Sequence, residues 1–158
     1  MSDVSALPYR PCVGTMILNP ARLIFAGQRI DTPGAWQMPQ GGVDPGEDLL
    51  AAAYREMAEE TGIAPEQARL LASSSDWIPY DLPPELVGKL WGGKYRGQKQ
   101  RWFAFAFEGS DDDIDITRQT PEFSEWRWMT RDELLTSIVP FKRPTYERIF
   151  AEFAPLFD

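Results

Sequence analysis

The stretch from Gly41 to Ile63 constrains this chain more than any other. It opens on the pair Gly41-Gly42, passes the loop signal Asp44-Pro45-Gly46, and runs through helix-forming residues to Thr61-Gly62. This pattern predicts a helix over about 47–61. Glu47 and Asp48 would lie in its first turn, where the helix dipole favours acids, and Gly62 would be the C-cap. Each helical residue advances about 100°, so with Glu56 at zero, Glu59 falls near −60° and Glu60 near +40°. Three carboxylates therefore share one narrow face, while Leu50, Tyr54, Met57 and Thr61 lie on another arc that can face a core. Like charges at i,i+4 cost helix stability. A solvated acidic face is the plain alternative. The preceding glycine loop favours a hard divalent cation held by oxygen ligands. Glycine lets the backbone approach the helix, so a carbonyl of Gln40 or Gly41 can complete an oxygen shell. Arg55, with Glu47 before it and Glu59 four residues on, can orient a carboxylate.

What the chain lacks narrows its chemistry. Its 158 residues include no histidine and one cysteine, Cys12. No Ser-His-Asp triad, Cys-His pair or Cys/His zinc site can be assembled. No internal disulfide can form, which suits a reducing, cytoplasmic setting. The 24 acidic and 16 basic residues give a net charge of −8. That balance argues against binding duplex DNA, which needs a basic surface. No apolar run is long enough for a membrane span, and Met1 to Leu7 lacks the pattern of a signal peptide. The expected organisation is one domain over 1–158, with 1–7 a flexible N-terminus.

Outside the acidic helix, Val13 to Leu18 and Leu23 to Ala26 flank the turn signal Asn19-Pro20 and read as a hairpin. Trp36 to Pro39 is a short extended piece. Arg101 to Phe107 reads as a central strand and Glu125 to Met129 as another. Arg131 to Ser137 is a helix capped by Thr130, and Thr145 to Phe153 is a last helix after Pro144. Strands interleaved with helices predict an α+β mixed sheet with helices on its faces.

The acidic stretch resembles the Nudix box, Gly-x5-Glu-x7-Arg-Glu-U-x-Glu-Glu-x-Gly-U, where U is bulky and apolar. Gly41, Glu47, Arg55, Glu56, Met57, Glu59, Glu60, Gly62 and Ile63 fill every defined position. At roughly 6–7% usage per residue, seven fixed matches arise by chance about once in a million such chains. The resemblance implies the Nudix fold, an α/β/α sandwich with a mixed β-sheet, and Mg²⁺- or Mn²⁺-dependent pyrophosphohydrolysis. It implies that Glu56, Glu59 and Glu60 carry the metal and that a carboxylate activates water. A non-catalytic nucleotide-binding module is the alternative, against which the complete box argues.

Further segments resemble one branch of that family, the RNA pyrophosphohydrolases and dinucleoside polyphosphate hydrolases. They include 9–14, 36–42, 77–83, 97–103, 120–123 and 141–146. The implied substrates are a triphosphorylated RNA 5′ end or a dinucleoside polyphosphate; oligomeric state stays open. Arg10, Arg29, Lys99 and Lys142 are candidate phosphate ligands. The resemblance assigns Tyr80 and Phe141 to sandwiching or stacking a base, and Glu122 to completing the metal site. Glu56 and Glu122 are both candidates for the general base. Asp111, Asp113, Asp115 and Glu122 match positions 1, 3, 5 and 12 of an EF-hand, but Ile116 stands where that loop needs glycine. A solvated turn is the better reading of 111–115.

Overall fold

The computed structural model describes residues 7–117 and 121–157. The expected flexible N-terminus lies, for 1–6, outside the described residues. The strands are β1 (Tyr9–Leu18), β2 (Ile24–Arg29), β3 (Trp36–Gln37), β4 (Gln40–Gly42), β5 (Ala68–Ser73), β6 (Ile78–Asp81), β7 (Gly97–Phe107) and β8 (Phe123–Met129). The helices are α1 (Leu49–Thr61), α2 (Arg131–Ser137) and α3 (Arg143–Glu152). All eight strands form one sheet with the path β3-β2-β1-β7-β5. Beside it, β4 pairs with β1, β6 with β7, and β8 with β2. Only the central β1–β7 pair is parallel among the described pairings. The sheet is mixed, as expected.

The centre is buried on both faces, so its strands read as apolar runs. Val13 and Ile17 of β1 join Phe103 and Phe105 of β7 under Ala52, Ala53 and Met57 of α1. Met16 and Leu18 alternate to the other face, where they join Trp102 and Ala104 beneath Leu134 of α2 and Tyr146, Ile149 and Phe150 of α3. Two cores on one sheet make the α/β/α sandwich. Each buried large side chain contributes roughly 1.5–3 kcal/mol against leaving it in water.

The box helix starts two residues later than the acidic pattern suggested. Asp48 is the N-cap, its carboxylate accepting from Ala51 N at 3.0 Å. Glu47 stands outside the helix, where it accepts from Asp44 N at 3.0 Å. The Asp48 side chain takes an amide that would otherwise lack a partner and so sets the boundary. Gly62 ends the helix at φ 75°, with its N–H on Ala58 O. In α2 Thr130 caps as expected, accepting from Glu133 N at 3.1 Å. α3 starts earlier than expected because Pro144 is tolerated in a first turn. Strands β4, β5 and β6 were not anticipated. Each is short or partly exposed, with a weak alternation signal.

Among the described residues, no helix is long and apolar enough to cross a membrane. Asp111–Asp113 is a short 3-10 turn between strands β7 and β8, not an EF-hand loop. Asp113 accepts from Ser110 N, Asp115 from Thr117 N, and Asp111 from Trp128 Nε1.

Candidate active site

Helix α1 lies against β4, and this contact sets the site. β4 pairs with β1 through Val13↔Gly41 and Gly14↔Gln40. Gly41 lies directly under Glu56, so that a Cβ at this position would collide with the Glu56 carboxylate. Only glycine permits this approach. The loop after β4 then returns to α1 through Arg55. Its Nε and Nη2 hold both oxygens of Glu47 at 2.8 Å. Its Nη1 donates to Glu56 at 2.8 Å and to Glu59 at 3.5 Å, and its Nη2 to Gly42 O at 3.0 Å. One planar fork thus ties loop, strand and helix together. The hydrogen bonds from Arg55, and then that from Asp44 N, hold Glu47 down at about 2. The same pairing with Glu47 raises the pKa of Arg55.

A cavity of about 560 Å³ opens beside this contact. That size suits a small-molecule or nucleotide ligand. It is lined by Glu56, Glu59, Glu60 and Glu122, together with Arg10, Arg29, Tyr80, Phe141 and Lys142. Gln40 and Gly41 also line it. The structure therefore brings together carboxylates from α1, cations from β1 and β2, and side chains from the segment before α3.

Glu60 is the most confined of the acids, at 7% exposure. Burial raises its pKa well above the carboxylate range; the charges of Glu56 and Glu122 add to this, and a backbone hydrogen bond at Gln40 opposes it. Its Oε2 has no hydrogen-bond partner among the described residues. Burial also raises Glu56, against the pull of Arg55. A buried, unpartnered carboxylate oxygen among like charges is costly. A hard divalent cation would supply the missing positive charge, so these oxygen donors fit such an ion. Among the described residues, however, no three acids converge as a ready-made cage. Arg55 engages Glu56, so a metal would compete with that guanidinium for the carboxylate.

The cations do not all lie where the sequence suggested. Arg29 lines the cavity and is clamped by Asp31 through bonds of 2.8 and 2.6 Å. Lys142 is 5% exposed. Burial, and next the charge of Arg29, hold its ammonium down at about 8. Lys99 does not line the cavity; its Nζ stands 4.6 Å over the Trp77 ring. Strand alternation is the reason. In β7, Gln98 and Gln100 share one face and Lys99 takes the other. Charge alone singles out Lys99 in that run and gives no sign of its neighbours. Gln98 lines the cavity and links to Gln100 at 2.8 Å and to Gln40 at 3.4 Å. Gln100 in turn accepts from Trp102 Nε1 at 2.7 Å. Period-two alternation across 97–103 was the signal that could have found these glutamines.

Of the two expected roles of the aromatic pair, sandwiching or stacking a base, its geometry leaves room for stacking. The Tyr80 and Phe141 rings are 6.0 Å apart and inclined by 49°. A base between parallel rings needs about 7 Å, two van der Waals contacts. The two rings contact one another, with Tyr80 buried behind the half-buried Phe141. This arrangement offers one stacking face and not a slot.

Comparison with known proteins agrees with this geometry. The NUDIX domain matches residues 8–149. A Cereibacter sphaeroides protein named RNA pyrophosphohydrolase is 55% identical over 154 residues, covering 97% of this chain and 95% of that protein. Its Novosphingobium aromaticivorans namesake is 52% identical over 160 residues, covering 99% of each. Among solved structures, the E. coli dihydroneopterin triphosphate pyrophosphohydrolase has a TM-score of 0.69 at 22% identity, covering 89% of this chain and 96% of that one. A C. elegans Ap4A hydrolase has a TM-score of 0.65 at 21% identity, covering 91% and 98%. These two likenesses concern the fold alone. The domain match, the full-length relatives and the box carboxylates over Gly41 lead to one conclusion: the chain belongs to the Nudix family.

Proposed function

We propose that this protein removes pyrophosphate from the 5′ end of triphosphorylated RNA. The observation that carries this reading is the shared cavity, in which four glutamates face Arg10, Arg29 and Lys142. A polyphosphate needs cations along its length, and carboxylates can hold a divalent cation near the reacting phosphorus. The full-length relatives named RNA pyrophosphohydrolase support the choice of RNA.

Nudix hydrolases use divalent metal ions. Here Glu56, Glu59, Glu60 and Glu122, with a backbone carbonyl of Gln40 or Gly41, would hold Mg²⁺, or Mn²⁺ as the alternative. Such an ion offsets phosphate charge and lowers the pKa of water. The chain's own residues do the rest. Arg10, Arg29 and Lys142 hold the phosphates that do not react. Phe141, backed by Tyr80, stacks a base. Without histidine, the proton of the attacking water passes to a glutamate, Glu56 or Glu122. Arg55 holds Glu56 through Oε1, which leaves Oε2 for that task.

A second reading, hydrolysis of dinucleoside polyphosphates, rests on the same base-stacking face and phosphate-binding cations. A competition assay separates the two. Triphosphorylated RNA and diadenosine tetraphosphate are supplied at equal concentration with Mg²⁺, and both losses are timed. We expect the RNA 5′ phosphates to go faster. In Glu60→Gln both should slow by roughly 10²–10⁴-fold. Faster loss of the dinucleotide would favour the second reading. No turnover of either would leave a nucleotide-binding module.

A further inference from the structure

Gln40 and Gln98 line the catalytic cavity, while Gln100 and Trp102 stand behind them and do not line it. Hydrogen bonds join all four side chains, and the series has a direction. We propose that Trp102, acting through Gln100, fixes which end of the Gln98 and Gln40 amides faces the cavity and makes both of them donors to phosphate oxygens. Trp102 and Gln100 are then positioning residues, and Gln98 and Gln40 are the groups that touch the substrate. This rests on the reading of the cavity as a polyphosphate site.

The direction starts at the indole, whose nitrogen can only donate. Its N–H reaches Gln100 Oε1 at 2.7 Å, so the Gln100 amide cannot be reversed without setting donor against donor. Gln100 Nε2 therefore points the other way, donating to Gln98 Oε1 at 2.8 Å and to Gln40 Oε1 at 3.2 Å. Gln40 Nε2 donates to Gln98 Oε1 at 3.4 Å. Each amide carbonyl in the series thus already accepts a bond, and that of Gln98 accepts two. An amide nitrogen carries two hydrogens, so within this network both from Gln98 and one from Gln40 remain to be placed. The starting point is held still. Trp102 is wholly buried, lies edge-on to Tyr146 at 6.0 Å, and covers Gly14, where a Cβ would come 2.5 Å from the indole. The ligand follows from the donors. N–H groups with no acceptor beside them suit an oxygen that carries no hydrogen, as on a phosphate, whereas most base edges offer donors and acceptors together. Neutrality also matters here. Beside Glu56, Glu59 and Glu60 a lysine would pair with the carboxylates and compete with a divalent cation. A glutamine binds a phosphate oxygen and leaves their charge for the ion.

The test is a double-mutant cycle read by calorimetry with Mg²⁺ and the hydrolysis-resistant, methylene-bridged analogue of adenosine triphosphate. The proteins are the wild type, Gln98→Met, Gln100→Met and the double variant; methionine keeps the length of glutamine and removes its amide. Each single variant should bind roughly tenfold more weakly, and the double variant should lie within about twofold of Gln98→Met. Trp102→Phe, which keeps a ring over Gly14 and removes the N–H, should lose affinity as Gln100→Met does and lose little more when Gln98→Met is already present. Losses that simply add would mean that Gln100 and Trp102 serve packing alone, and would overturn the relay. A second measurement needs no variant. In nitrogen-15-labelled wild type, the side-chain NH₂ resonances of Gln98 should shift when the analogue binds, and binding without such a shift would also overturn it. If the wild type does not bind the analogue, the polyphosphate reading falls and the relay with it. If it binds and the losses add, only the relay falls.

Discussion

The two sides of the catalytic cavity are built in opposite ways. The carboxylate side, Glu122 apart, comes from one continuous segment, in which β4, its loop and α1 lie within 40–61. The cationic and aromatic side gathers Arg10, Arg29, Tyr80, Phe141 and Lys142 from four distant parts of the chain. On the first side, helical period and one arginine fix nearly every distance. On the second, only sheet register and the seating of α3 do so. Local spacing thus encodes the chemistry, while tertiary packing encodes what is held against it. Damage to the first side should therefore abolish reaction, and damage to the second should mainly weaken binding.

The sharpest way to break this contrast is Arg55→Ala. It leaves Glu47, Glu56 and Glu59 without their shared cation and Gly42 O without its donor. Losing charge-assisted hydrogen bonds at this partly exposed position should cost roughly 2 kcal/mol of stability. Turnover should fall by roughly 10²-fold or more, because the misplaced carboxylates no longer meet the reacting phosphate. Arg55→Lys should restore little, since an ammonium cannot reach five acceptors as a fork does. Denaturant melts and kcat measurements check both. A normal kcat in the Ala variant would remove Arg55 from the positioning role.

A smaller effect is expected on the other side. Phe141→Ala removes the outer ring and exposes Tyr80 behind it. KM should rise by roughly tenfold while kcat moves little. A fall in kcat with unchanged KM would place Phe141 on the reaction side and erase the contrast. This is also the side that the sequence revealed least. The helix, its Gly62 cap and the shared face of Glu56, Glu59 and Glu60 follow from a period of 3.6 and could be read directly. Lys99 could not be placed that way, because its direction depends on whether β7 begins at Gly97 or Arg101 and on which face it shows. The contact between Tyr80 and Phe141 joins β6 to the segment before α3, across a separation that no local pattern spans. The helix start at Glu47 was misplaced by two residues for a different reason. Two acids in a row fit a first turn equally well, and only the Asp48 cap decides between them.

The smallest predicted effect concerns Lys142, where binding and stability pull against each other. Its ammonium is buried 5.9 Å from the Phe141 ring centroid and 6.0 Å from that of Tyr80, and it faces the charges of Arg29 and Asp31 and the thiol of Cys12. Burial lowers it from the ordinary 10.5 to about 8. Below pH 8 both folded and unfolded chains hold that proton, and the cost of the buried charge is fully present. Between about 8 and 10.5 the unfolded chain binds more protons than the folded one, so this group's contribution makes stability rise with pH. Phosphate binding runs the other way, because only the charged form attracts an anion. KM for the triphosphate should therefore climb a few-fold from pH 7 to pH 9. Lys142→Met removes both trends: it should be more stable than the wild type at pH 7, with a raised KM that no longer changes with pH. Parallel melts and KM measurements at pH 7, 8 and 9 check this. A destabilised Met variant whose KM still climbs would show that the lysine serves the packing beneath α3 and not the phosphate. The cationic side would then reduce to Arg10 and Arg29.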